Sequence, residues 1–215
     1  MVSNPITIRL INDCGIATAD FETVTKAVQY FVPLVAKAWN IPDVTVVNGG
    51  TPAPTDWLVY ATEKNRSTGA LGYHSVKGGV PVAYCSLKAV ANKLWGLYHR
   101  PMIVKGKTIR PATFSSGLVT VLCHEIAEML CDPLISTLSP VDAQGRHWLV
   151  EVCDHVYGSY LMFGASVLPD VTTPAFYDVA GKAPYSLQKA TDAPFKMTPS
   201  GYGYWKNAQG VLTKI

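Results

Sequence analysis

Polar and apolar residues alternate over residues 6–11, the period-two pattern of a strand with one face in a core. An apolar-rich stretch follows to about residue 40. Asp20 precedes it and Glu22 lies in its first turn, so the pattern predicts a helix capped by Asp20, with Pro33 kinking or dividing it. Further strands are expected at 43–47, closed by Asn48-Gly49-Gly50, and at 56–62. A fourth is expected at 80–86, placed at a sheet edge because Pro81 lacks an N–H. Gly69, Gly72, Gly78 and Gly79 mark the stretch before it as a glycine-rich connection.

A helical or irregular stretch through Lys93-Leu94-Trp95 leads into a basic loop at 99–110, read as solvated surface. Residues 115–131 give the clearest helix, capped by Ser115 or Ser116 and stopped by Asp132-Pro133. Beyond Pro140 the chain turns rich in Pro, Gly and Tyr. Residues 170–215 are therefore expected to be an extended C-terminal region, wrapped on the first part or reaching to a neighbour. The expected class is α+β, a single domain with a mixed sheet and a long N-terminal helix.

Composition narrows the functional classes. Hydrophobic residues make up 48% of the 215 and charged residues 15%, a balance that belongs to a folded domain. The net charge of +3 and the scattered Lys and Arg give no basis for specific nucleic-acid binding. No apolar run approaches the roughly 18 residues that a membrane span requires, and residues 1–12 lack the charged start of a secretory signal. The five cysteines show no C-x-x-C spacing, so reduced, mostly buried thiols are expected, in keeping with assembly in a reducing cytoplasm.

Candidate chemistry concentrates in the second helix. His124 and Glu128 are four apart and leave it on one face, with Glu125 beside them. This is the layout of H-E-x-x-H with a carboxylate in place of the second histidine. Ionisable groups on so apolar a helix are costly unless paired or metal-bound. A further ligand is sought in Glu151-Val152-Cys153-Asp154-His155. On a helix Glu151 and His155 would share a face, and Asp154 could ligate or fix a ligand by a hydrogen bond. The candidate metal ligands are thus His124, Glu128, Glu151, Asp154 and His155, around one divalent ion. Zn²⁺ comes first, and Ca²⁺ or Mn²⁺ also suit a set so rich in carboxylates. His74, in the glycine-rich connection, is placed where it can approach the site.

His-Glu-Ile-Ala-Glu-Met-Leu-Cys-Asp-Pro at 124–133, followed by Glu-Val-Cys-Asp at 151–154, resembles a family of zincin-like proteins of bacteriophages and prophages. The likeness runs on through residues 173–178, 193–195 and 199–202, so it covers roughly the C-terminal half. It implies a zincin fold with His124, Glu128 and Glu151 as ligands and Glu125 as general base. His155 stands where the family pattern has proline. The resemblance implies a virion-associated structural or interaction protein, assembled in the host cytoplasm among other phage structural proteins. The alternative it implies, ranked second, is a metallopeptidase in which a divalent ion polarises water and a peptide carbonyl. An extended peptide substrate would then pair with strand 80–86, and Tyr177, Tyr202 or His155 would stabilise the oxyanion.

Overall fold

The computed structural model describes residues 5–63, 70–87, 117–164, 166–207 and 209–215, and the backbone of 102–104 and 107–109. Residues 93–95, most of the basic loop, and the caps expected at Ser115 and Ser116 lie outside them. The chain is α+β. Strands β1 (Ile6–Asp13), β2 (Val44–Asn48), β3 (Trp57–Thr62), β4 (Gly72–Lys77) and β5 (Val80–Ser86) form one sheet in the order β2-β1-β3-β5-β4. Its pairs are parallel except β4 with β5.

Helix α1 (Thr18–Trp39) connects β1 to the parallel β2. It turns Phe21, Val24, Val28, Phe31, Val32 and Val35 inward, the three-and-four spacing of a helix with one apolar face. Two sequence expectations for α1 need correction. Its N-cap is Ala17, and Asp20 lies inside the first turn, where its charge meets the positive end of the helix dipole. Pro33 does not divide the helix, which continues through it to Trp39. It sits on the exposed face, so the carbonyl it leaves unbonded, that of exposed Gln29, faces water.

A third correction moves the sheet edge. β5 lies between β3 and β4, and β4, unforeseen within the glycine-rich connection, is the edge strand. Gly78 and Gly79 both have positive φ (59° and 81°) and link Lys77 to its partner Val80, a two-residue hairpin turn that suits glycine at both positions. Pro81 follows that turn, one residue before β5 begins to pair with β3 at Val82, so an inner strand tolerates its missing N–H.

Strands β6 (Met102–Val104) and β7 (Lys107–Ile109) form a short antiparallel pair. Helix α2 (Leu118–Cys131) then packs against α1, β4 and β5. All its residues except His124 and Cys131 are buried, which explains why its sequence is apolar on every side. No helix among the described residues is long and apolar enough to cross a membrane, and all five cysteines are free.

The remaining strands are β8 (Leu138–Val141), β9 (His147–Leu149), β10 (Tyr160–Phe163), β11 (Ser166–Pro169), β12 (Tyr204–Lys206) and β13 (Leu212–Lys214). The C-terminal region is irregular, as expected, and it packs on its own chain. Trp39 Nε1 donates to the Thr172 carbonyl at 2.8 Å, and β12 pairs with β9 within the sheet β13-β12-β9-β8.

Asp142 organises the β8–β9 turn. Its Oδ1 accepts the N–H groups of Gln144 and Arg146, and its Oδ2 accepts Arg146 Nε at 2.7 Å and Trp148 Nε1 at 2.8 Å. Burial alone would raise its pKa, but the Trp148 and Arg146 donors outweigh that and hold it below the usual value. A depressed folded-state pKa contributes stability above the unfolded value of about 3.9, lost as pH falls through the folded value. Asp142→Asn is therefore expected to destabilise the protein by about 1–3 kcal/mol at pH 7. Urea unfolding would show the gap narrowing below about pH 4; a gap unchanged at low pH would refute the assignment.

Candidate metal centre

Helix α2 brings His124 and Glu128 to one spot, and the loop after β9 closes on them. His124 Nε2 lies 3.1 Å from Glu128 Oε1 and 3.1 Å from Asp154 Oδ1. Both oxygens are buried, yet neither makes a hydrogen bond. Each 3.1 Å separation is close to the roughly 3.3 Å that bonds of about 2.0 Å at tetrahedral angles leave between two ligands of a cation, although Asp154 falls in neither of the donor groups described below.

Asp154 opens a short 3₁₀ turn, Asp154–Val156, which the C-terminal region fastens. Tyr202 N–H donates to the Asp154 carbonyl at 3.0 Å and Thr198 N–H to the His155 carbonyl at 3.1 Å. Gly201 permits this closeness, since a Cβ there would collide with the His155 carbonyl. The Tyr202 side chain also bonds the Asp154 carboxylate.

Two donor groups meet at Glu128, each with its ligand atoms within 4.8 Å of one another: His124, Glu128 and Cys153, and His74, Glu128 and Glu151. His74 Nδ1 is 3.5 Å from Glu128 Oε2 and 3.5 Å from Glu125 Oε2. The structure thus gathers His124, Glu125, Glu128, Glu151 and Asp154 in one region, but Glu151 stands with His74 and not with His124.

His155 goes elsewhere. Residues 150–153 are not helical, so Glu151 and His155 share no helix face. The His155 ring is fully buried against Trp148, Phe176 and Tyr177, with Nδ1 3.0 Å from the Tyr177 hydroxyl. Burial lowers its pKa to about 4, which suits a neutral core imidazole. Tyr177 is tied up in the same contact and accepts from Thr172 at 3.3 Å, so of the expected oxyanion donors Tyr202 alone is placed beside His124 and Glu125.

Two participants went unassigned as ligands in the sequence. His74 arrives on β4, whose signal was the Gly78-Gly79 pair between two strand-like runs. Cys153 looked like one more buried thiol; its Sγ donates to the His124 carbonyl at 3.8 Å.

The electrostatics are those of acids crowded out of water. Burial raises Glu125, and burial with the neighbouring Glu128 charge raises Asp154 and lifts Glu151 to about 8. Burial would raise Glu128 too, but His124 and His74 outweigh it and pull it below the ordinary range. Burial opposes charge on His74, yet Glu125 and Glu128 raise its pKa to about 10, and Glu128 and Asp154 likewise raise His124.

A cavity of about 380 Å³ opens on the centre, lined among others by Leu71, Gly72, His124, Glu125, Tyr157 and Tyr202. Gly72 presses on the catalytic candidate directly: a Cβ there would lie 2.7 Å from Glu125 Oε1 and 2.8 Å from Val121 Cγ1. The centre therefore joins residues that could hold a cation, a carboxylate at a cavity wall and β4, the edge strand of its sheet among the described residues. No protein-family model, no curated protein and no solved structure matches the chain.

Proposed function

We propose that this chain is a zincin-type metal-dependent hydrolase that cleaves peptide bonds. The observation that carries the reading is the pair of buried oxygens without hydrogen bonds, Glu128 Oε1 and Asp154 Oδ1, beside His124 Nε2 at the wall of a cavity that Glu125 also lines. His124 and Glu128 would hold the ion with Cys153, the third member of their donor group, while Asp154 stands beside His124. Zn²⁺ is the first choice, with Mn²⁺ and Ca²⁺ suited to the carboxylates. When bound, such an ion supplies Lewis acidity toward a water and a peptide carbonyl.

The chain's own residues supply the rest. Glu125 takes the proton of the attacking water and passes it to the leaving amine. The Tyr202 hydroxyl, kept protonated by burial and by Asp154, would turn from the Asp154 carboxylate it bonds to donate to the developing oxyanion. An extended peptide adds to the outer side of β4, a role the sequence alone assigned to 80–86. The motif resemblance supports a bacteriophage setting, in a particle assembled in the host cytoplasm with other phage structural proteins.

One observation favours a second reading, a structural virion component. The acidic turn that would hold the ion is also where the C-terminal region is fastened, through Tyr202 and Thr198, so the ion could serve to brace that region. Metal analysis and hydrolysis of an unfolded protein, for wild type beside His124→Ala, separate the two. Stoichiometric metal and hydrolysis, both lost in His124→Ala, are expected. Bound metal without hydrolysis would leave the structural role, and no metal would end both readings.

A further inference from the structure

We propose that the centre takes a pair of divalent cations bridged by Glu128, the second held by His74 and Glu151. This rests on the metal-centre reading above and extends it from one ion to two. Glu128 turns its oxygens to different partners: Oε1 is 3.1 Å from His124 Nε2, and Oε2 is 3.5 Å from His74 Nδ1. A carboxylate with one oxygen in each of two donor groups is placed as a bridge. The two groups share Glu128 and nothing else.

The second group is held together by contacts longer than ordinary hydrogen bonds. His74 Nδ1 stands 3.5 Å from both Glu125 and Glu128, well beyond the roughly 2.9–3.0 Å usual for N–H···O. Its side chain is 8% exposed, and the buried Nε2 has no partner either. An imidazole buried beside Glu128 and Glu151 at more than hydrogen-bond length is set for a cation among the three.

Charge balance points the same way. Glu125, Glu128, Glu151 and Asp154 bring four formal negative charges, and no ion pair among the described residues brings a Lys or Arg to any of them. With all four carboxylates charged, one divalent ion leaves two charges uncompensated, and so do two protonated imidazoles. Two divalent ions beside neutral imidazoles leave none, and an uncompensated buried charge is costly.

The test is to strip the full-length protein of metal, reload it with Mn²⁺ and count ions per chain after gel filtration, for wild type, His74→Ala and His124→Ala. Two ions in wild type, falling to one in His74→Ala, are expected. One ion in wild type, kept in His74→Ala and lost in His124→Ala, would overturn the second cation and leave the first site standing; none would overturn both. Electron paramagnetic resonance of loaded wild type covers a His74→Ala that fails to fold. An exchange-coupled Mn²⁺ pair supports the bridge, and an isolated-ion spectrum at saturation refutes it.

Discussion

Replacing Glu128 by Gln is expected to lower metal affinity by more than about 100-fold, the upper end of what loss of a mere supporting partner of a ligand costs. Glu128 is the one side chain common to both donor groups, and at 3% exposed it has no solvent route by which another ligand could substitute. An amide keeps its shape and removes its charge, so the loss reports ligation and not packing. Stability follows by linkage: an ion present at about 1,000 times its Kd stabilises the fold by about 4 kcal/mol. For a chain of this size that is roughly 8–16 °C in melting temperature. Wild type should lose that increment when a chelator is added, and Glu128→Gln should melt at the same temperature with or without it. Equal chelator sensitivity in the two proteins would show that Glu128 is not a ligand.

Strands β1, β2, β3 and β5 and both described helices were legible, and in β1 and α1 the signal was a period that burial enforces. β1 alternates because Ile8 and Leu10 face the core, and α1 shows its three-and-four spacing because one side packs inward. The sheet order was not legible. Local pattern placed Pro81 at an edge, whereas tolerance of Pro81 depends on where pairing with β3 begins, a long-range fact. The same gap hid β4, whose residues are all partly exposed or exposed and so lack a buried face to set a period.

The site was half legible. His124, Glu125 and Glu128 share one helix, and helical geometry fixes their relation from spacing alone. The contributions from 151–155 could not be sorted, because non-helical residues followed by a 3₁₀ turn send neighbouring side chains in different directions. Asp154 reaches His124, Glu151 joins His74, and His155 enters the aromatic core. His74 is 54 positions before Glu128, so only the fold could bring them together.

Glu125→Gln is expected to lower kcat/KM for peptide hydrolysis by about 10²–10⁴-fold while metal content stays at the wild-type level. That is roughly 3–5 kcal/mol of transition-state stabilisation, the range of a lost general base. The substitution is close to isosteric, which matters because Gly72 and Val121 leave this side chain little freedom to move. Glu125 belongs to neither donor group, so its charge is not needed to retain an ion. Activity and metal content should therefore separate in Glu125→Gln, whereas in Glu128→Gln they fall together. Hydrolysis undiminished in Glu125→Gln would assign the proton transfer to another group, with Glu151 the nearest alternative by its place beside His74 and Glu128. Metal lost along with activity would instead make Glu125 a ligand.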